Sequence, residues 1–407
     1  MIPINEARAL VLDACSVLPI VDVDARDMVG RVLAHDVVAD ESVPPFANSA
    51  VDGFGVRSSD VERVPVRLRV VGTLAAGAAP EVSIGPGEAV RIMTGAVIPP
   101  GVDAVVMVED SKMVDDVHVE LSKVAQEGGA IREVGSDVTA GTTVFRAGQV
   151  LNAAGIGVLA SINACRVRSA KRARVAVLST GDELIVDGSP LKQGQIRESN
   201  LTMLDQMLRD AGCEVSNLGV VRDDEATLSE VLARAAEGCD AIVTSGGVSM
   251  GDFDVVKAVL SKHARMQWMQ LAIKPAKPFA FGLWSTKRGV DVPIFGLPGN
   301  PVSSLVSFEL MARPALRKMM GHTGDLLRPT ISAVLDAPLA RKPDGKVHYV
   351  RVHGRFAEDG RLHVRDTGPQ GSHQLASTAL ANGLAEVPDG PGLEAGATVA
   401  VLLIDSP

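Results

Sequence analysis

The chain has 407 residues, a length that predicts about two to four domains. Its 40 Lys and Arg and 49 Asp and Glu residues give a formal net charge of −9, which argues against a nucleic-acid-binding protein, because such proteins normally present a basic face. Apolar residues make up 46% of the chain and aromatic residues only 3%, so we expect globular cores built from aliphatic side chains and Met. An anionic substrate of such an acidic protein requires a locally basic pocket.

The cysteines and the N-terminus favour a cytoplasmic protein. The four Cys residues form no C-x-x-C pair, so neither a zinc site nor a disulfide framework is predicted. The N-terminus lacks the basic and apolar regions of a signal peptide. The weakly charged stretch 292–308 is interrupted by three prolines and is therefore not expected to span a membrane.

The first 171 residues predict one helix, a β-rich region and a mixed segment. Apolar spacing over residues 4–18 predicts the helix. Residues 43–145 carry short Val-rich segments between turn residues, and the predicted strands are 66–71, 89–92, 104–108 and 118–121. Residues 146–171 are mixed, with a predicted helix over 155–162 and a predicted strand over 166–169.

From residue 172 the pattern alternates between strands and helices, which predicts a doubly wound α/β domain over 172–326. The predicted strands are 174–178, 214–218, 241–244, 279–283 and 293–297. The predicted helices are 200–211, 225–236, 254–262 and 302–320. Residues 327–407 are strand-like again, end in a Val- and Leu-rich tail, and predict a separate β domain.

Three glycine-containing loops follow strands of the α/β region. We name them loop 1 (residues 179–183), loop 2 (residues 245–249) and loop 3 (residues 296–301). Ligands of open α/β sheets bind outside the carboxyl ends of the strands, and glycine lets backbone N–H groups approach an anion closely. Loop 3 also supplies Asn300 as a predicted N-cap and Pro301 as the first helical residue. Together the loops predict a phosphate-bearing ligand.

Acidic residues cluster in and near these loops. Carboxylates beside a phosphate repel it unless a cation lies between them, and Mg²⁺ commonly bridges the two groups. Each residue alone is equally typical of a helix cap or a solvated side chain, but together they predict a Mg²⁺–phosphate site: Asp182, Glu183, Asp223, Asp224, Asp252 and Asp254.

A pair of lysines stands between prolines in residues 272–278. Pro275 and Pro278 stiffen this segment and so fix the ammonium groups of Lys274 and Lys277. The pair is suited to an oxyanion, whether phosphate, sulfate or molybdate. The one G-x-S-x-G match, residues 247–251, does not run directly into a predicted helix, and the chain contains no P-loop, which disfavours a serine hydrolase and a P-loop NTPase.

An ordered series of short motifs runs along almost the whole chain. The motifs are PPFANSAVDGF (44–54), RIMTGA (91–96), DAVV (103–106), IR (131–132) with GSD (135–137), STGDEL (179–184), SGGVS (245–249), KPAKP (274–278), LPGNP (297–301) and GSH (371–373). Any one motif is weak, but their order makes the series specific. The series resembles the molybdopterin molybdenumtransferase family, which includes bacterial MoeA and the E domain of gephyrin.

The resemblance implies a multidomain α/β plus β protein. Its expected parts are a discontinuous, elongated mixed domain (1–42 and 146–171), an inserted β-rich domain (43–145), the α/β molybdopterin-binding domain (172–326) and a C-terminal β-barrel-like domain (327–407). The implied activity is insertion of molybdate into adenylylated molybdopterin, with Mg²⁺-dependent release of AMP. The resemblance also implies a homodimer whose cleft is shared between subunits, and the molybdopterin adenylyltransferase is a further expected partner.

The resemblance also implies roles for individual residues. Asp52 and Thr94 would contribute from the inserted domain, and Glu183, Asp223 and Asp254 would be the α/β-site carboxylates, joined by Asp182 as Mg²⁺ ligands. The expected substrate- and molybdate-binding residues are Gly246, Gly247, Ser249, Lys274, Lys277, Pro298, Pro301, Ser303, Arg351 and Ser372. Ala47 and Phe54 depart from the family, which usually has Asp and Tyr at these two positions.

Two other functions are compatible with the same residues. A catalytically weakened relative would act as a molybdopterin-binding scaffold, an interpretation that Ala47 favours slightly. A molybdopterin adenylyltransferase resembles only residues 172–325, so the additional β regions and the Lys-Pro-x-Lys-Pro segment count against it.

Overall fold

The structure is a computed structural model, and it describes residues 1–248, 255–324 and 326–406. Its contacts divide the chain into two compact units. The larger unit comprises Met1–Val21, Gly30–Ala34 and Arg168–Pro407, and the smaller unit comprises Asp22–Val29 and His35–Val167.

The first 170 residues are mainly short strands. The helices are α1 (Ile4–Ala14) and α2 (Ala153–Ser161). The strands are β1 (Ile20–Asp24), β2 (Val37–Val38), β3 (Asn48–Ser49), β4 (Gly53–Val56), β5 (Val66–Leu74), β6 (Glu88–Ile92), β7 (Ala104–Met107), β8 (Ser111–Asp115), β9 (His118–Leu121), β10 (Ile131–Arg132), β11 (Thr143–Phe145) and β12 (Arg166–Ala170). Helix α1 is shorter than predicted because Cys15 already has an extended backbone.

A six-stranded sheet forms the core of the smaller unit, which confirms the predicted β-rich region. Its strand order is β7-β4-β6-β5-β9-β8. Its buried side chains are largely aliphatic, as the low aromatic content predicts. Phe54, one of the two departures from the family pattern, lies on β4 in this core and is only 2% exposed, so it serves as a packing residue.

The remaining chain alternates between helices and strands before it ends in strands. The helices are α3 (Asn200–Asp210), α4 (Glu225–Gly238), α5 (Val255–His263), α6 (Pro301–Ser307), α7 (Arg313–Met319) and α8 (Leu375–Thr378). The strands are β13 (Arg174–Thr180), β14 (Leu184–Ile185), β15 (Ile196–Arg197), β16 (Glu214–Val221), β17 (Ala241–Ser245), β18 (Ala264–Gln270), β19 (Ile273–Lys274), β20 (Pro278–Ser285), β21 (Asp291–Leu297), β22 (Thr330–Leu335), β23 (Leu339–Ala340), β24 (Val347–Phe356), β25 (Leu362–Asp366), β26 (Gly383–Val387), β27 (Gly392–Leu393) and β28 (Thr398–Leu403).

The α/β region of the larger unit contains one six-stranded sheet in the order β16-β13-β17-β21-β20-β18. The first four strands are parallel, whereas β20 and β18 are antiparallel additions. Apolar side chains cover both faces, as the continuous apolar strands predict. Strand β18 was not predicted because polar residues alternate along it, as is typical of a strand at the edge of a sheet.

The predicted helix over 302–320 is one helical segment with an irregular middle. Helices α6 and α7 are joined by a π-helical turn, Phe308–Ala312. Most of this segment is buried against the sheet core. None of the helices among the described residues is long and apolar enough to cross a bilayer.

The C-terminal strands form a closed barrel, which confirms the predicted barrel-like domain. Strands β24, β25, β22, β28 and β26 pair in that order, and β26 pairs again with β24. Strand β19 from the KPAKP segment adds to the same sheet by parallel pairing with β24, where Lys274 lies opposite His348. The lysine segment is therefore fixed beside the barrel.

Candidate functional site

Loops 1, 2 and 3 leave the same edge of the α/β sheet. Strands β13, β17 and β21 are parallel neighbours, with Ser179 opposite Ser245 and Ser245 opposite Leu297. The loops line a cavity of about 720 Å³, which we name cavity 2. The predicted convergence of the three loops is therefore present in the structure.

Loop 2 has a backbone that requires glycine. Gly246 and Gly247 have φ angles of 95° and 73°, in the left-handed region that glycine adopts readily. A Cβ on Gly247 would lie 2.2 Å from Cβ of Val256 on α5. The amide of Gly246 donates a 3.0 Å hydrogen bond to the carbonyl of Leu297, which joins loop 2 to loop 3. Both glycines line cavity 2.

Only some of the predicted carboxylates lie at cavity 2. Glu183 and Asp223 line cavity 2. Asp182 is exposed and is not part of the wall of either cavity described here. Asp224 is the N-cap of α4 and accepts a 2.7 Å hydrogen bond from the amide of Thr227. Ser249, Asp252 and Asp254 lie outside the described residues.

The donor set in cavity 2 is compatible with a Mg²⁺ ion shared with substrate. Within residues 1–248, 255–324 and 326–406, no three His, Cys, Asp or Glu side chains are grouped to hold a metal. Mg²⁺ commonly takes only one or two carboxylates and completes its shell with water and substrate phosphates. Glu183 and Asp223 fit that pattern, but they do not form an all-protein metal cage.

A second cavity of about 950 Å³, cavity 1, lies beside the lysine segment and the barrel. Six Lys and Arg residues but only two Asp residues line it, so its formal charge is +4 with His348 neutral. This local charge opposes the net charge of −9 of the chain. Six predicted substrate-binding residues contribute to its wall: Lys274, Lys277, Pro298, Ser303, Arg351 and Ser372.

The segment that carries the two lysines is rigidly held. Pro275 and Ala276 are buried between them, and Ala276 has a φ of 71°. The carbonyl of Lys277 accepts a 2.7 Å hydrogen bond from the amide of Leu271. Lys274 is fixed by strand β19. The side chains of both lysines therefore start from a defined backbone at the wall of cavity 1.

Arg351 is buried at the wall of cavity 1, with 1% of its surface exposed. Its guanidinium donates hydrogen bonds of 3.1–3.2 Å to the carbonyls of Pro369, Gln370 and Gly371. Burial lowers the pKa of Arg351. The side chain therefore organises the loop that precedes Ser372 and also contributes charge beside the cavity.

Cavities 1 and 2 adjoin, because Pro278, Pro298 and Asn300 line both. Pro301, which was predicted to shape the cation pocket, lines cavity 2. Asn300 occupies the N-cap position of α6, but its side chain makes no capping hydrogen bond. The amide of Val302, in the first turn of α6, donates a 3.0 Å hydrogen bond to the carbonyl of Ser372.

Family models and a similar protein of known name all indicate the same protein family. The family model for the MoeA N-terminal region (domain I and II) matches residues 2–163, that for a probable molybdopterin binding domain matches residues 176–318, and that for the MoeA C-terminal region (domain IV) matches residues 332–404. The molybdopterin molybdenumtransferase of Haemophilus influenzae is 35% identical over 94% of this chain and 93% of its own length. The chain belongs to the molybdopterin molybdenumtransferase (MoeA) family.

Other relatives agree over similar lengths. Molybdopterin molybdenumtransferase 2 of Mycobacterium tuberculosis is 41% identical over 88% of this chain and 89% of its own length. The solved structure of the molybdopterin biosynthesis MoeA protein of Pyrococcus horikoshii has a TM-score of 0.80 and 28% identity, and covers 99% of this chain and 100% of that chain. The chain is thus a member of an enzyme family of molybdenum cofactor biosynthesis.

The smaller unit holds the two residues that the MoeA resemblance assigns to an inserted domain. The carboxylate of Asp52 accepts hydrogen bonds from the backbone amide and the hydroxyl of Thr94, at 2.7 and 2.8 Å. These bonds, the amide bond first, lower the pKa of Asp52. Both residues are exposed, so the pair presents a fixed, ionised carboxylate at the surface of this unit.

Several cavity residues of this MoeA family member were not predicted. Arg341 and His348 line cavity 1, and Glu198 and Asn200 line cavity 2. His348 is brought to Lys274 by pairing of strands that are far apart in the sequence, so no local pattern reveals it. Glu198 lies two residues before the predicted helix and Asn200 begins it, and the Ser199 between them is a recognisable N-cap signal that marks where these side chains lie.

Proposed function

We propose that the chain inserts molybdate into adenylylated molybdopterin and releases AMP, forming the molybdenum cofactor. The observation that carries this proposal is the wall shared by the two cavities, formed by Pro278, Pro298 and Asn300. A cation-rich cavity adjoins one lined by glycine loops and carboxylates. This pairing suits a reaction that brings a metal oxyanion to a phosphate-linked substrate.

Cavity 2 is the proposed site of the phosphate linkage and the AMP moiety. The backbone N–H groups of loops 1 to 3 bind the phosphate oxygens, and the glycines permit their close approach. Glu183 and Asp223 would hold Mg²⁺, with Asp254 and Asp182 retained from the sequence as further candidate ligands. Mg²⁺ supplies charge neutralisation and polarisation of a phosphoryl oxygen when it is bound.

Cavity 1 is the proposed site of molybdate. Lys274 and Lys277 supply ammonium groups from a fixed backbone, and Ser303 and Ser372 supply hydroxyl donors at the wall of the same cavity. The buried charge of Arg351 adds to the attraction of a dianion. In this proposal the groups that bind the oxyanion are separate from those that bind the phosphates.

The decisive experiment measures AMP release by the purified protein. We expect AMP and molybdenum cofactor to form together when adenylylated molybdopterin, molybdate and Mg²⁺ are all present, and not when EDTA removes Mg²⁺. Binding of the pterin without AMP release would refute the proposal and favour a scaffold. Formation of the adenylate from ATP and molybdopterin would favour an adenylyltransferase.

Lys274→Ala tests the assignment of cavity 1. Removal of one of the two ammonium groups of the pair should weaken molybdate binding at least tenfold while folding is retained, because Lys274 is exposed at the cavity wall. Lys287→Ala is the matched control, since Lys287 is an exposed lysine in the connection between β20 and β21. Equal molybdate affinities of the two variants would refute the assignment.

We further propose that the protein is a cytoplasmic homodimer, in which Asp52 and Thr94 of one subunit complete the cleft of the other. This proposal is supported by the family membership and by the fixed Asp52 carboxylate. Light scattering tests the dimer, and cell fractionation tests the location. Copurification with the molybdopterin adenylyltransferase tests the expected partner.

A further inference from the structure

The side chain of Asn200, at the start of α3, joins loop 2 to loop 3. Its Nδ2 atom donates hydrogen bonds to Oγ of Ser245 at 2.8 Å and to the carbonyl of Gly299 at 2.7 Å. Asn200 is 8% exposed and lies in the wall of cavity 2. One amide group therefore connects two loops that are separated by about 50 residues of sequence.

The side chain of Glu198 holds loop 1 from the same position. Its Oε1 atom accepts hydrogen bonds from Oγ of Ser179 at 3.0 Å and from the amide of Leu201 at 2.6 Å. The second bond fixes the carboxylate to the first turn of α3. The start of one helix thus contacts all three loops that line the proposed phosphate site.

The amide of Asn200 uses only its donor atom in contacts with the described residues. Its Oδ1 atom is buried and has no hydrogen-bond partner among them. The two bonds donated by Nδ2 both go to the loops, so the contacts of this amide group are made with loops 2 and 3.

We propose that Glu198 and Asn200 are positioning residues that hold loops 1 to 3 in the arrangement that binds the nucleotide phosphates. Backbone donors bind a phosphate well only when they are fixed close to their bound geometry. Glycine-rich loops have many alternative conformations, so ordering them before binding reduces the entropy lost on binding. The inference rests on the proposed function, because it assumes that cavity 2 binds the AMP moiety.

The test compares AMP affinity and molybdate affinity in the full chain with Mg²⁺ present. Asn200→Ala and Glu198→Ala should each weaken AMP binding at least tenfold and leave molybdate affinity within twofold of wild type. Glu198→Gln should bind AMP within threefold of wild type, because a Gln side-chain oxygen still accepts both hydrogen bonds. Isothermal titration calorimetry measures both ligands.

Asn382→Ala is the matched control. Asn382 is a barrel asparagine, 7% exposed, whose side chain is hydrogen-bonded to both backbone groups of Gly354 at 2.7 and 2.8 Å. This variant should lower thermal stability and leave AMP affinity unchanged. An equal loss of AMP affinity in this control would attribute the effect to general destabilisation and overturn the inference.

Three further outcomes separate the inference from the proposed function. If Glu198→Ala binds AMP as tightly as the wild type does, the inference is wrong but the proposed function stands. This outcome can be read even if Asn200→Ala does not fold. A loss in Glu198→Gln as large as in Glu198→Ala also overturns it, because Glu198 would then act through its charge. Absence of AMP binding by the wild type overturns the proposed function of cavity 2 together with this inference.

Discussion

Replacement of Arg351 by Met should both destabilise the protein and weaken its affinity for molybdate. Met retains an apolar stem in the buried site but removes three hydrogen bonds, to the carbonyls of Pro369, Gln370 and Gly371. These residues are only half-buried or exposed, so water recovers part of the loss, and each bond contributes about 1 kcal/mol, less than the roughly 1.5–3 kcal/mol usual for a hydrogen bond to a charged group. The expected loss is therefore about 3 kcal/mol in the free energy of unfolding.

Thermal unfolding and the KM for molybdate measure the two effects. A loss of about 3 kcal/mol should lower Tm by roughly 3–4 °C if the 407 residues unfold together, because the entropy of unfolding is about 2.1 cal/mol/K per residue. Arg351→Lys keeps the charge but not the planar fork, so it should lose about 2 kcal/mol and raise KM less than Met does. Arg355→Met is the control, because Arg355 is an exposed arginine on the same strand, β24.

The reasoning fails if the free energies of unfolding of Arg351→Met and of the Arg355→Met control differ by less than about 0.5 kcal/mol, because ordinary surface substitutions cause differences of that size. The loop before Ser372 would then not depend on the guanidinium. An unchanged KM for molybdate in a folded Arg351→Met protein would separately remove Arg351 from the binding of the oxyanion.

Three further predictions concern single residues. Burial and the neighbouring Arg317 and Arg313 lower the pKa of His322 to about 4, so protonation of His322 favours the unfolded chain. The free energy of unfolding should therefore fall as pH drops from about 6.5 to about 4, and the loss at pH 5 should be about 2 kcal/mol. His322→Gln should remove this acid sensitivity in thermal melts, and parallel pH profiles of the two proteins would contradict it. Gly247→Ala should weaken AMP binding at least tenfold, because the added Cβ would lie 2.2 Å from Val256. Gly289→Ala is the control: Gly289 has the same φ of 73° but no close contact, so AMP affinity should be unchanged. Hydrogen bonds to the carboxylates of Asp336 and Asp359 raise the pKa of His363, so its stabilising effect is complete below pH 6.5 and is lost as pH rises through the folded-state pKa. His363→Gln should therefore lower Tm more at pH 6 than at pH 8.5, and an equal difference at the two pH values would contradict this.

The sequence predicts the loops of the site better than the wall that completes it. The strands β13, β17 and β21 are continuous apolar runs, so their carboxyl ends, and with them loops 1 to 3, follow from local pattern. The pairing of Lys274 with His348 joins positions 74 residues apart through two strands that are distant in the chain, and local periodicity does not encode such a pairing.

Prediction from the local sequence was also wrong where one residue type can serve two structural roles. Asp224 was grouped with the candidate metal ligands, but it caps α4, a role that its place before a helix equally allows. Strand β18 was missed since its alternating polar residues do not resemble the buried strands around it. In both cases the role of the residues depends on their contacts in the folded structure, which the local sequence does not specify.

The pairing of β19 with β24 has a consequence for attempts to dissect the protein. A chain cut after residue 326 would keep every strand of the α/β sheet and yet release Lys274 from its strand partner. The same cut would remove Arg351 and Ser372. The excised fragment would retain the glycine loops but lose four of the six Lys and Arg residues that line cavity 1, so deletion of the barrel would remove most of the positive charge of that cavity.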